Sequence, residues 1–263
     1  MEIGAESIGM TNLPKNTFYD INKLPKEYGI LVFPISMSRA GTSQSPKEYL
    51  NFLRHFSPTK VSDSKIGANI VYGDYLYLHS NKKAEVLRND LAQIMIDHKQ
   101  AFKNLIRKYR DEFQIQHAFN FQVWNDQYLR YEGDWYVRFL QFKKLALADK
   151  KMVQYLKEDC KKWKFKYTEN QINFYLEEHL IFYLLSKGEL RIPNDYVQDR
   201  QQWVLLAYPG VQPKALVYLY QKNFFKLSNP KNIYENCTYD LESKKLIDFT
   251  RIDLDTYNYK YEK

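Results

Sequence analysis

Two apolar runs near opposite ends of the chain set its frame. Residues 29–35 form an uncharged run that stops at Ser36, and residues 203–207 form another that stops at Tyr208-Pro209. Continuous apolar runs of this length suit parallel strands buried on both faces. Between them, Asn69-Ile70-Val71-Tyr72-Gly73-Asp74 predicts a second short strand ending in a turn, and residues 114–121 alternate enough for a third. The intervening stretches change period. Leu87, Leu91, Ile94, Phe102 and Leu105 recur at three- and four-residue steps and predict a helix over 82–110. A long helical stretch is predicted over 134–166 and another over 169–186. Tyr49, Leu50, Leu53 and Phe56 predict a further helix opening at Ser45-Pro46, and a helix and a late strand near 246–252 follow Pro213. This β-α-β-α-β order predicts an α/β fold with a Rossmann-like parallel sheet flanked by helices. Residues 1–27, polar with Pro14 and Pro25, read as a lightly structured N-terminal segment before a single domain over 28–263.

Composition agrees with one globular unit and adds a partner class. The 263 residues are 44% hydrophobic and 27% charged, enough for one sizeable core. Aromatics reach 16%, led by 23 Tyr, which suggests pockets with polar-tipped walls. A formal charge of +8 favours polyanionic partners. The chain opens without a basic start or apolar stretch of signal-peptide type, and its longest apolar run, 180–185, is far below spanning length. The expectation is a cytoplasmic protein with no membrane partner. Two cysteines, Cys160 and Cys237, make a disulfide framework or a cysteine-based metal site improbable, and no metal or cofactor is expected.

The charge is concentrated. Residues 82–110 hold eight Lys/Arg against three acids, among them Lys82, Lys83, Lys99, Lys103, Arg107, Lys108 and Arg110. Lys99, Lys103 and Arg107 fall at four-residue steps and so share one ridge of the helix. Residues 138–166 hold ten Lys/Arg against three acids. Such ridges bind phosphate backbones by counterion release, without reading sequence; a solvated helix face is the plain alternative.

Ser36 and Tyr208, each just past a strand, fall on one rim of an α/β sheet, where open α/β folds bind ligands. There is no Gly-x-Ser-x-Gly elbow, and none of the five histidines has a spacing that nominates a general base. A serine with no strong base suits an acyl donor that is already activated, such as an aminoacyl ester. Phe174 and Glu178 lie one turn apart on the helix over 169–186, beside Leu180, Ile181 and Leu184. A carboxylate in such surroundings binds a cation or has a raised pKa, and a substrate ammonium is one such cation.

Taken in order, these residues resemble the tRNA-dependent cyclodipeptide synthases over about residues 28–225. Ile35-Ser36 is similar to the family's nucleophile segment and Val71-Tyr72-Gly73-Asp74 to its second strand. Tyr128 falls where the family has a pocket tyrosine. Residues 172–178 resemble the segment with the substrate-amine glutamate, which places that role on Glu178, with Glu177 its neighbour. Tyr208-Pro209 matches the catalytic tyrosine, and the proline suggests the XYP subfamily. Pro34 stands where many members have glycine, Arg39 replaces the other subfamily's asparagine, and Phe174 takes the place of a tyrosine that Tyr175 could supply.

The resemblance implies a fold like the catalytic domain of class I tyrosyl- and tryptophanyl-tRNA synthetases. It also implies ping-pong transfer from two aminoacyl-tRNAs per turnover, through a seryl aminoacyl-enzyme on Ser36 and a dipeptidyl-enzyme that cyclises to a diketopiperazine. Glu178 would handle the ammonium, Tyr208 would relay protons, and Tyr175 would assist. Pocket walls are expected from Val32, Phe33, Val71, Tyr72, Tyr128 and Phe174. No protein partner is evident. The competing readings are a non-catalytic tRNA- or RNA-binding Rossmann-like protein, and an aminoacyl-tRNA-dependent transferase with a different acceptor.

Overall fold

The structure is a computed structural model that describes residues 29–49, 66–73, 76, 84–108, 119–123, 135–189, 203–224, 232, 234–243 and 245–259. Its centre is a six-stranded sheet in the order β3-β2-β1-β4-β5-β6. The strands are β1 (Gly29–Ile35), β2 (Ile66–Tyr72), β3 (Phe119–Val123), β4 (Trp203–Tyr208), β5 (Cys237–Asp240) and β6 (Lys245–Asp248). The pairs β3-β2, β2-β1, β1-β4 and β4-β5 are parallel, and β6 closes the edge antiparallel to β5. Chain order runs one way from β1 to β3 and the other way from β4, so β1 and β4 flank the point where strand order reverses. The predicted α/β class with a mainly parallel sheet is what the chain forms.

Alternation along β1 divides the core. Ile30 and Val32 join a cluster under α2 (Trp135–Ala148), α3 (Lys150–Lys162), α4 (Glu169–Ser186) and α5 (Lys214–Lys222). Leu31, Phe33 and Ile35 join a second cluster under α1 (Ala84–Lys108), which buries Leu91, Phe102 and Ile106 there. Being buried on both faces, β1 is apolar throughout.

Pro34 breaks a rule for central strands and thereby shapes the site. Having no N–H, it cannot donate to a ladder. The β1-β4 pairing ends at Val32, while β1 stays paired with β2 through Ile35. The carbonyl of Pro34 is taken by side chains instead, accepting from Gln44 Nε2 at 3.2 Å and Tyr49 Oη at 3.3 Å. Beyond Val32 the two central strands are therefore free to part.

The helix expected over 134–166 is two helices. Asp149 has extended backbone, and its carboxylate accepts from the N–H groups of Lys151 and Met152 at 2.9 and 3.0 Å, so it ends α2 and caps α3. Thr168 caps α4 in the same way, accepting from Gln171 N. Pro213, before α5, offers no side-chain cap. Asp159 of α3 supplies one, accepting from Lys214 N and Ala215 N, each at 2.9 Å, and from Tyr259 Oη at 2.7 Å. The third strand lies later than expected, and β5 was not anticipated. The 1–27 segment, Tyr128, Lys82, Lys83 and Arg110 lie outside the described residues, as does most of the helix expected after Ser45; its first turn, 46–49, is present.

Candidate active site

A cavity of about 570 Å³ opens at the carboxyl ends of β1 and β4. That is the switch point of the sheet, the usual ligand crevice of an open α/β fold. Ser36, Arg39, Tyr175, Glu178, His179 and Tyr208 line it, with Leu76, Phe174, Phe182 and Val211 supplying apolar wall. Ser36 follows the last residue of β1 and Tyr208 is the last of β4, while Phe174, Tyr175, Glu178, His179 and Phe182 come from one side of α4. Their spacing of three and four residues turns them towards the same space.

Ser36 is held from behind. Its N–H donates to Gln44 Oε1 at 2.6 Å, and its carbonyl accepts from Arg39 N at 2.8 Å. Gln44 is fixed in turn, because His98 Nε2 lies 2.9 Å from its carbonyl oxygen and His98 Nδ1 lies 2.9 Å from Tyr72 Oη. The Ser36 hydroxyl is 3.1 Å from that of Ser38, and the residue is half-buried.

The titratable groups are shifted by burial. Glu178 is raised to about 7, burial outweighing the lowering effect of the Arg39 guanidinium. Tyr208 is pushed well above 10 by burial first and by the Glu178 carboxylate next, so it stays a phenol. Its hydroxyl has no hydrogen-bond partner among the described residues, and its ring lies 5.4 Å from that of Phe182. Tyr175 is likewise held protonated by burial, in a group of rings with Phe165, Phe174 and His179.

The adjacent carboxylates separate cleanly. Glu178 lines the cavity, whereas Glu177 is 2% exposed and accepts from Trp135 Nε1 at 2.9 Å. The expected pocket walls divide as well. Phe174 lines the cavity, but Val32, Phe33, Val71 and Tyr72 do not: all four are core residues, 0–2% exposed. Phe33 and Tyr72 lie on the α1 side, Phe33 against Tyr49 and Tyr72 against His98, and in strands apolar on both faces nothing local marks which face each takes. Lys99, Lys103, Arg107 and Lys108 are exposed along α1. Gln44, His98 and His179 escaped sequence reasoning, since their roles depend on partners distant in the chain.

Among the described residues no group of His, Cys, Asp and Glu could hold a metal ion, and no helix is long and apolar enough to cross a membrane. No family model matches the chain, and no curated protein matches it by sequence. Solved structures do. A cyclodipeptide synthase from Fluoribacter dumoffii matches at TM-score 0.52 and 13% identity, over 82% of this chain and 93% of that one. One from Staphylococcus haemolyticus matches at 0.48 and 13%, over 79% and 87%. A Mycobacterium tuberculosis protein, whose structure relates cyclodipeptide synthetases to type I tRNA synthetases, matches at 0.44 and 10%, over 78% and 81%. Of the three, the first bears on the fold, and at its low identity it shows the fold alone.

Proposed function

We propose that this chain is a tRNA-dependent cyclodipeptide synthase of the XYP type, working in the cytoplasm on two aminoacyl-tRNAs per turnover. The observation that carries this reading is the convergence of Ser36, Glu178 and Tyr208 on one cavity at the switch point. Ser36 Oγ attacks the carbonyl of the first ester, and the tRNA ribose oxygen leaves with the serine's proton. For a dipeptide to remain on the serine, the amine of the seryl-bound aminoacyl group must attack the second ester, displacing the second tRNA. The new terminal amine then attacks the seryl ester, closing the diketopiperazine and restoring the Ser36 hydroxyl.

The second and third steps each need a free amine. Glu178, raised to about 7, is matched to taking the ammonium proton at neutral pH. Tyr208 stays protonated, so it serves as a phenolic relay that gives one proton as it receives another. Tyr175 adds a second buried phenol beside Glu178, and no metal or cofactor is called for because the ester is already activated. Arg39 and Pro209 support the XYP branch, and the basic ridge of α1 suits a tRNA backbone.

Mass spectrometry of medium from a bacterial host expressing the chain tests this. A new cyclic dipeptide is expected, and Ser36→Ala should abolish both it and the trapped aminoacyl-enzyme; normal turnover by that variant excludes the mechanism. Replacing Lys99, Lys103 and Arg107 together by Ala should weaken tRNA binding and lower its salt slope by up to about 3, near 0.9 per lost phosphate contact. An unchanged slope would remove α1 from the interface.

A further inference from the structure

His179 lines the cavity, and the reaction above gives it no part. It is 1% exposed, yet neither Nδ1 nor Nε2 has a hydrogen-bond partner among the described residues. Buried polar groups are nearly always paired, so an unpaired one in a native fold calls for a cause. The larger cavity elsewhere, about 760 Å³, offers a contrast: its buried cation, Lys187, already donates to Asn236 Oδ1 at 2.6 Å. None of its described lining residues has a buried side-chain N or O without a hydrogen-bond partner.

The surroundings of His179 indicate what would pair with it. Tyr175 precedes it by one turn, with ring centroids 5.8 Å apart, and Phe182 follows by three residues against the Tyr208 ring. The imidazole is thus the polar member of an aromatic wall. Burial drives its pKa down to about 3, so it is neutral at physiological pH and offers one donor and one acceptor rather than a base. Both nitrogens lie under the cavity surface, and the broad χ2 torsion of histidine lets a ring turn present either one.

We propose that His179 is a specificity-determining residue that hydrogen-bonds the polar tip of an aromatic aminoacyl group, a hydroxyl or ring N–H, so that tyrosyl-type donors are preferred over phenylalanyl. This rests on the reading of the cavity as an aminoacyl site. A site built to pair a hydroxyl rejects the analogue lacking it because its own polar group is then stranded. His179 has no partner among the described residues, so a phenylalanyl group leaves it stranded and a tyrosyl group does not.

Calorimetric binding of tyrosinol and phenylalaninol, which carry the ammonium but no ester, tests this without tRNA or turnover. The unaltered chain should bind tyrosinol about three- to tenfold more tightly, the worth of one neutral hydrogen bond. In His179→Leu the two should bind alike, and His179→Gln should keep part of the preference; a general packing defect would weaken both ligands and leave their ratio alone. Equal or undetectable binding by the unaltered chain overturns the proposal, as does a preference that survives in His179→Leu. Should the leucine variant not fold, the ring ¹⁵N resonances of His179 in the unaltered chain decide, shifting with tyrosinol but not phenylalaninol; no shift overturns it. A chain that makes cyclodipeptides without this preference refutes His179 alone, and one that binds tyrosinol selectively but makes no product refutes the synthase reading alone.

Discussion

His98 and His179 are both buried, at 4% and 1% exposure, on opposite faces of one sheet, and they are treated oppositely. Against the Gln44 carbonyl, Nε2 of His98 must donate, which leaves Nδ1 to accept from the Tyr72 hydroxyl; both positions are filled and the tautomer is set. His179, across the sheet, has two nitrogens and no hydrogen-bond partner among the described residues. On the α1 face, Gln44 and His98 grip the Ser36 loop from behind through paired groups, while the α4 face carries open polar groups, the Tyr208 hydroxyl among them. Consistency belongs to the support and inconsistency to the cavity, as expected where a local rule is broken for a ligand.

The sharpest way to break this contrast is to make the same substitution on both faces. His98→Leu orphans the Tyr72 hydroxyl and the Gln44 carbonyl, each worth about 1–3 kcal/mol when buried, so a loss of roughly 3 kcal/mol is expected. His179→Leu orphans no described group and removes two unmet ones, so stability should hold within about 0.5 kcal/mol or rise. Urea midpoints at unchanged m-value measure both. Equal destabilisation would mean that His179 has partners after all.

Acid separates the two states next. An unfolded imidazole protonates near pH 6.5, but burial keeps His179 neutral to about 3 and also holds His98 below its ordinary value. The unfolded chain therefore binds more protons in this window, and stability, fully present above 6.5, falls as pH drops. His179 alone should account for roughly 2 kcal/mol between pH 6.5 and 5. His179→Leu should flatten the stability profile there by close to one proton, measured by denaturation at each pH.

What could be read from the chain beforehand divides along similar lines. β1, β4 and α4 were legible because strands buried on both faces are unbroken apolar runs, and their ends put Ser36 and Tyr208 on one rim. β5 was hidden because two of its four residues are polar and buried through bonds made elsewhere: Thr238 Oγ1 donates to Leu206 O, and Asp240 accepts from Gly210 N, which sits at φ +98. Asp149 was lost within a long basic stretch, although a carboxylate before Lys150-Lys151-Met152 is an N-cap signal. The cavity's serine, tyrosine and glutamate followed from order along the chain. Gln44 and His98 could not, since a hydrogen bond spanning 54 residues leaves no local trace.

The smallest effects test how the scaffold shares its load at Pro34. Gln44 is 3% exposed, and Gln44→Ala strips the Ser36 N–H of its acceptor and the Pro34 carbonyl of one donor, which should cost about 1–2 kcal/mol and slow aminoacyl-enzyme formation about tenfold. Tyr49→Phe removes the other donor to Pro34 and leaves Gln44 in place, so about 0.5–1 kcal/mol and little change in rate are expected. Because the two side chains share one acceptor, the double variant should lose more than the two single losses added together, as the carbonyl is stranded only when both are gone. Strict additivity in denaturation would show that Pro34 draws on another donor, and the closure of the α1 face would then not rest on these two side chains alone.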